Sequence, residues 1–322
     1  MSNATQHFLV TGGAGFIGSH LVQRLLGEGA EVTVIDDLST GNMANLSDVA
    51  SHPGLRVISS QVSTCSELTQ LAEKSAGIFH LAAAVGVELV VHKPIHTIHN
   101  NLRETEAILA AAARRSTPIL FTSTSEVYGK SQKSEFSEED DLLIGPSHLL
   151  RWSYACSKLM DEFLALAYAR EHGLPVVVVR VFNTVGPRQT GKFGMVLPRF
   201  IGAARSGRPL QVFGDGAQTR CFCYVRDTVD AMLRLFRAPQ ARGQVVNIGG
   251  TEELSMRELA ERVVRVLGSP SEIQYVPYDA AYSPGFEDMR RRKPSVEKLA
   301  SLTGFRPATP IDEIIRRTAG VN

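Results

Sequence analysis

Apolar positions along this 322-residue chain gather in short, almost wholly apolar runs separated by stretches of helical period. His7 to Thr11 (HFLVT) is the first run and Glu31 to Ile35 (EVTVI) the second; Leu55 to Ser59, Ile78 to Leu81, Ile119 to Thr122 and Val176 to Val181 follow. Runs of this length, rich in β-branched residues and without polar alternation, predict strands buried on both faces. The stretches near 66–74, 101–115 and 154–171 carry a helical pattern between them. Strand and helix taking turns predicts an α/β fold with a doubly wound parallel sheet.

The texture changes after Phe182. Loops rich in Gly, Pro and Arg (Gly186-Pro187-Arg188, Gly214-Asp215-Gly216) precede a helix at 226–237, a strand at 244–248 and a helix at 255–267. This predicts a cofactor domain over 1–183, rejoined by a returning segment near 224–249, and a smaller C-terminal α+β lobe over 184–223 and 250–322. With no internal repeat or long linker, the two pack closely and leave a substrate cleft between them.

The first strand runs directly into Gly12-Gly13-Ala14-Gly15-Phe16-Ile17-Gly18 and then a helical pattern through Leu21, Leu25 and Leu26. Each glycine has a distinct role: Gly12 makes the tight turn, Gly15 lets backbone amides approach a pyrophosphate, and Gly18 lets the helix pack on the strand. The second strand ends in Asp36, at the spacing where a carboxylate accepts a hydrogen bond from an adenosine ribose 2′-OH. Asp36 is followed by Asp37, with no arginine beside it to accept a 2′-phosphate, which predicts NAD rather than NADP.

Two further stretches carry candidate chemistry. Tyr154-Ala155-Cys156-Ser157-Lys158 opens a helix, and the i, i+4 spacing puts Tyr154 and Lys158 on one face. An ammonium near a phenol favours the phenolate, so Tyr154 can take a proton from a substrate hydroxyl. Thr124, Ser125 and Glu126 follow the carboxyl end of the strand at 119–122, the edge where ligands sit in a doubly wound sheet. Thr124 can hydrogen-bond the hydroxyl that Tyr154 deprotonates.

Charge and cysteine content narrow the class. Thirty-four Lys plus Arg against 33 Asp plus Glu leave a net charge of +1, which supplies no broad field for nucleic acid or an anionic membrane. Arg290-Arg291-Arg292-Lys293 is a short basic run beside Glu287 and Asp288, and it reads as a solvated or substrate-facing loop. Four cysteines without histidines at ligand spacing make neither a disulfide framework nor a metal site. No basic leader and no apolar window of membrane length stands in the sequence, so a cytoplasmic protein is expected.

Taken with the Gly12 to Gly18 turn and Asp36, the residues Thr124, Tyr154 and Lys158 resemble the extended short-chain dehydrogenase/reductase family of NAD-dependent nucleotide-sugar epimerases, dehydratases and decarboxylases. Within it the sequence is most similar to the UDP-glucuronate decarboxylases, through Ser123 to Gly129, Arg151-Trp152-Ser153-Tyr154 with Ser157-Lys158, and Gly285 to Met289 with Arg292 to Ser295. The resemblance implies a Rossmann-type cofactor domain that binds NAD through Gly12, Gly15, Phe16, Ile17, Gly18, Asp36, Asp37, Leu81, Asn101, Tyr154 and Lys158. It implies catalytic roles for Glu126 and Arg292, Ser125 beside the sugar carboxylate, Asn183 and Arg220 on the sugar diphosphate, a UDP-sugar substrate and a homodimer. UDP-sugar 4-epimerisation, which needs only Tyr154, Thr124 and Lys158, is the alternative reaction. Dehydration is disfavoured because Ser125 stands where a dehydratase has an Asp, and a non-catalytic NAD-binding regulator is the reading from another class. Two positions depart from the family pattern: Gln61 replaces an Asp near the adenine, and Glu104 replaces a Gly between Asn101 and Thr105.

Overall fold

The protein is described by a computed structural model covering residues 5–84, 94–191, 195–277 and 289–321. The stretch Gly285 to Asp288, which carries part of the decarboxylase resemblance, lies outside the described residues. The first half alternates strand and helix: β1 (His7–Thr11), α1 (Phe16–Gly27), β2 (Glu31–Asp36), β3 (Leu55–Ser59), α2 (Leu68–Lys74), β4 (Gly77–His80), α3 (Pro94–Ala113), β5 (Ile119–Thr124), α4 (Trp152–His172) and β6 (Val176–Val181). Then come β7 (Thr184–Val185), α5 (Val196–Arg205), β8 (Leu210–Phe213), β9 (Thr219–Cys221), β10 (Cys223–Tyr224) and α6 (Val225–Arg237). The chain returns as β11 (Gln244–Ile248) and ends in β12 (Glu253–Ser255), α7 (Met256–Leu267), β13 (Ile273–Val276), α8 (Glu297–Thr303) and α9 (Ile311–Ala319).

Seven strands form one parallel sheet in the order β3-β2-β1-β4-β5-β6-β11. Successive side chains of β1 point to opposite faces, and both faces are covered: Phe8 and Val10 pack under α1 and α6, Leu9 under α2 and α3. The unbroken apolar runs of the sequence are the direct mark of that two-sided burial. A separate apolar cluster gathers Phe200 of α5, Val212 of β8, Leu259 and Val263 of α7 and Ile314 of α9. Its strands are two to four residues long and pair only in twos, as β7 with β10, β9 with β12 and β8 with β13.

The strand order reverses direction between β1 and β4, which opens a crevice at their carboxyl ends. Into that crevice points the start of α1, an approach that needs two glycines. Gly12 has φ of +70°, and a Cβ there would lie 2.7 Å from the Ala82 amide nitrogen. A Cβ on Gly18 would lie 2.9 Å from Gly13 Cα and closer still to the Gly12 carbonyl oxygen. The helix therefore sits on the turn backbone to backbone.

Two helices show how element bounds differ from the sequence reading. The third helix begins at Pro94 rather than near 101, because His96, His99, Asn100 and Asn101 in its first turns dilute the apolar period. The helix expected over 255–267 starts at Met256, with Ser255 outside it as the cap in a reciprocal pair with Glu258.

Within the sheet, His80 of β4 is 1% exposed and its Nδ1 lies 2.8 Å from the Thr11 hydroxyl. Burial first, then the charge of Lys158, lowers its pKa from 6.5 to about 3. The unfolded chain takes up a proton here below pH 6.5 that the folded chain refuses, so the stability His80 contributes is present above pH 6.5 and is lost as pH falls towards 3. Between pH 6.5 and 5, above the ordinary carboxylate range, unfolding free energy falls by about 1.4 kcal/mol per pH unit from this group, and His80→Asn flattens that slope in denaturant titrations. The same titrations separate two glycines of one helix. Gly18→Ala costs roughly 2–4 kcal/mol because only backbone can move away, whereas Gly27→Ala, with nothing within 4 Å of the added carbon, gains about 0.5–1 kcal/mol.

Candidate active site

A cavity of about 740 Å³ runs along the carboxyl edge of the sheet, from Asp36 and Gln61 beyond β2 and β3 to Arg220 and Arg292 of the lobe. The donors at its first end suit a dinucleotide. Helix α1 begins without a side-chain cap, so the amides of its first turn, at Phe16, Ile17 and Gly18, reach the cavity unshielded. The Asp36 carboxylate accepts from the Ala14 amide at 2.8 Å and the Leu38 amide at 2.9 Å, tying the glycine turn to the end of β2. Burial raises the pKa of Asp36 against the pull of those bonds from Leu38 and Ala14. Asp37 accepts from the Ser39 amide and hydroxyl, and Leu81, just past β4, closes the floor.

Both departures from the family pattern fall here. Glu104 of α3 is 3% exposed and accepts from the Ser63 amide at 3.0 Å and the Ser63 hydroxyl at 2.5 Å, fixing the loop that presents Gln61 to the cavity. Asn101, expected at the cofactor, is 1% exposed. Its Oδ1 accepts from the Ala84 amide at 2.8 Å and its Nδ2 donates to the Ser157 hydroxyl at 3.1 Å, so it clamps the loop after β4 to α4. Arg188, which the sequence reading passed over, lines the cavity. With φ of +70°, a strained value for arginine, it bonds Gln23 and Asp48 at 2.8 Å each. The only sequence signal for it was its place after Gly186-Pro187.

Mid-cavity, β5 delivers Thr124 as the cap of a short turn, Ser125 to Tyr128, and its hydroxyl oxygen accepts from the Glu126 amide at 3.2 Å. That leaves the Thr124 hydrogen for the Tyr154 oxygen, a bond that favours the ionised phenol. The net shift of Tyr154 is nonetheless strongly upward: burial is the largest cause, followed by the charges of Glu126 and Asp161. Lys158 shares the helix face as the spacing predicted, but its ammonium is 3.0 Å from Asp161 Oδ2 and 4.2 Å from the Phe121 ring centre. Ser125 is buried beside them.

The lobe contributes the remaining groups. Arg292 Nη2 lies 3.5 Å from Glu126 Oε1, across 166 residues of chain. The segment bearing it is anchored on two sides: the Thr219 amide donates to the Arg290 carbonyl at 2.9 Å and the Phe136 amide to the Lys293 carbonyl at 2.8 Å. Asn183, at the end of β6, donates to the Cys221 carbonyl at 3.3 Å, and Arg220 of β9 is buried within the cavity wall. Thr124, Ser125, Glu126, Tyr154, Lys158, Asn183, Arg220 and Arg292 thus all line one space.

Comparison with known proteins places these features. Residues 8–249 match the NAD dependent epimerase/dehydratase family. A UDP-N-acetyl-alpha-D-glucosaminuronate decarboxylase of Bacillus cytotoxicus is 40% identical over 311 residues, 96% of this chain and 95% of that protein. UDP-glucuronic acid decarboxylase 1 of Xenopus tropicalis is 34% identical over 97% of this chain and 71% of its own length. Among solved structures, a Tyr-to-Phe mutant of the UDP-glucuronic acid 4-epimerase from Bacillus cereus, in complex with UDP-4-deoxy-4-fluoro-glucuronic acid and NAD, superposes with a TM-score of 0.87 at 27% identity, covering 98% of both chains. With a parallel Rossmann-type sheet, a glycine turn closed by Asp36 and a family match over three quarters of its length, the chain belongs to the NAD-dependent epimerase/dehydratase family.

Proposed function

We propose that the protein is a UDP-hexuronate decarboxylase that oxidises its sugar transiently at carbon 4. The observation that carries this reading is the Glu126–Arg292 pair, set 3.5 Å apart in the same cavity as Tyr154 and Thr124, with Ser125 beside it. A simple 4-epimerase has work for Tyr154, Thr124 and Lys158 but none for a paired carboxylate and guanidinium. The segments 1–183 and 224–249 hold the cofactor, and 184–223 with 250–322 hold the sugar nucleotide.

The amides of Phe16, Ile17 and Gly18 receive the pyrophosphate, Asp36 and Asp37 the adenosine ribose, and Lys158 the ribose on the nicotinamide side. When bound, NAD supplies the acceptor for the carbon-4 hydrogen and, once reduced, the donor that returns it. Tyr154 removes the proton of the carbon-4 hydroxyl, helped by the Thr124 hydroxyl. A ketone at carbon 4 is β to the carbon-6 carboxylate, so that the carbon–carbon bond breaks with its electron pair moving into an enolate and carbon dioxide leaving. Arg292 grips the carboxylate and faces the developing charge, and Ser125 donates a hydrogen bond to it. Glu126 takes up a proton from water and passes it to carbon 5 of the enolate, and Asn183 and Arg220 hold the diphosphate.

Among the described residues no helix is long and apolar enough to cross a membrane. We place the enzyme in the cytoplasm, where UDP-sugars are made, and as a homodimer. Support for the dimer comes from α3 and α4, which pack together and expose Ile95 (74%), Met160 (55%) and Phe163 (62%).

Incubation with UDP-glucuronate, its 2-acetamido analogue and UDP-glucose, followed by NMR, tests the reaction and the substituent at carbon 2 together. Carbon dioxide is expected from one or both uronates; inversion at carbon 4 with the carboxylate retained would make the protein an epimerase instead. Glu126→Gln is expected to slow decarboxylation by roughly a hundredfold or more while bound NADH still accumulates, and Tyr154→Phe to stop both. Undiminished decarboxylation in the Glu126 variant would overturn the assignment. In light scattering the protein should run at twice its 35.0 kDa chain mass, and Phe163→Glu should halve it.

A further inference from the structure

Beneath Tyr154 lies a buried charge that the proposed reaction does not call for. Lys158 and Asp161, one helical turn apart on α4, are 3.0 Å from each other with side chains 2% and 0% exposed. The second carboxylate oxygen of Asp161, Oδ1, is buried without a hydrogen-bond partner among the described residues. An acid that served only to hold the helix would be expected to use both oxygens, as its neighbour does. Glu162 accepts from Arg180 of β6 at 2.8 Å through one oxygen and from the Ser123 hydroxyl at 2.5 Å through the other.

The other charged groups around the phenol are few. His80 of β4 is neutral at working pH, since burial and Lys158 lower it to about 3. Glu126 faces Arg292, Glu162 is matched by Arg180, and the Arg151 guanidinium at the start of α4 lies over the Trp152 ring at 5.0 Å. Among the described residues Lys158, four residues after Tyr154, and Arg151, three residues before it, are the cations on that helix face, and the Lys158 charge is shared with Asp161.

We infer that Asp161 is a positioning residue for the reaction: it fixes the Lys158 ammonium at the floor of the cavity and cancels part of the positive charge that Lys158 projects onto the Tyr154 phenol. The pair gives the lysine one defined place against the Phe121 ring, at the cost of a weaker base-forming field. This agrees with the direction of the Tyr154 shift, to which Asp161 contributes upwards. Removing the Asp161 charge while keeping its shape frees the field. The phenol then ionises more easily, and the acid limb of the reaction moves to lower pH.

This inference rests on Tyr154 being the base proposed above, and its test has one arm that does not. In thermal unfolding, Lys158→Met strands a buried carboxylate and should lower Tm by several degrees, and adding Asp161→Asn should restore part of that loss. Strictly additive losses would overturn the inference whatever the enzyme does. In the second arm the NAD-loaded protein is mixed with UDP-glucuronate, or its 2-acetamido analogue, and NADH formation at 340 nm is followed across pH. Asp161→Asn should shift the acid limb down by about one pH unit, a tenfold gain in the rate below it. A purely structural loss would lower the rate equally at every pH, and an unmoved acid limb in an active variant overturns the inference. A wild-type protein that forms no NADH with any UDP-sugar would count against the proposed function, with the unfolding arm still deciding whether the two charges are coupled.

Discussion

The arrangement depends on one close contact, the seating of α1 on the glycine turn after β1. Because Gly18 has no side chain, the helix rests directly above the Gly12 carbonyl, and its uncapped first amides come out where the sheet reverses direction between β1 and β4. A methyl group at that contact would push the helix outwards and carry those amides away from the cavity. Asp36 reinforces the geometry from the other side, since its carboxylate bonds both the turn at Ala14 and the loop at Leu38. The anion-binding end of the site is therefore a by-product of how the first βαβ unit packs, and the rest of the cavity follows from it along the same sheet edge.

From that edge the charged groups sort into two kinds. Arg180 and Glu162 form a buried pair with short bonds and further partners, the kind that costs several kcal/mol to break because the survivor is left without compensation. They support the floor between β6 and α4. Tyr154 stands above this floor among carboxylates, and burial with those charges holds its proton on. Positive charge brought into the cavity would offset this, so under the proposed function the readiness of Tyr154 to give up its proton depends on what the cavity holds.

Much of this was legible in the sequence, for reasons that particular residues make plain. β1, β2 and β4 to β6 are legible because they are buried on both faces, leaving unbroken apolar runs such as Val176 to Val179, and β3, at the sheet edge and only partly buried, because Leu55, Val57 and Ile58 still make a short apolar run. β8, β9, β12 and β13 are not, because strands of three or four residues leave too few positions for a period, and their partners are distant in sequence. In the site, Tyr154 with Lys158 and the glycines with Asp36 are local spacings, so sequence distance carries the geometry. Glu126 and Arg292 come together only through the backbone bonds that Phe136 and Thr219 make to either side of Arg292, and no spacing rule spans them. The resemblance supplied that pair. Asn101 also joins the loop at Ala84 to Ser157, a use that a list of polar residues does not reveal. Asp161 was passed over for the same reason, since an acid at i+3 from a lysine is an ordinary surface pattern until both are buried.

The Glu126–Arg292 pair differs from the buried one in a way that bears on chemistry. At 3.5 Å, with side chains 21% and 10% exposed, it is looser than Arg180–Glu162 at 2.8 Å, with side chains 6% and 3% exposed. A tight, dry, bidentate pair has nothing left to offer a substrate, because inserting a second carboxylate means breaking strong bonds first. A longer pair at the cavity wall is easier to open, and under the proposed function a substrate carboxylate would take the place of Glu126 on the guanidinium. The anchoring of Arg292 from both sides then matters more than its contact with Glu126: the Arg290 and Lys293 carbonyls hold the backbone still while the side chain changes partner. A guanidinium held by its backbone yet able to change partner is what the proposed reaction would require, since the carboxylate it binds must then leave as carbon dioxide.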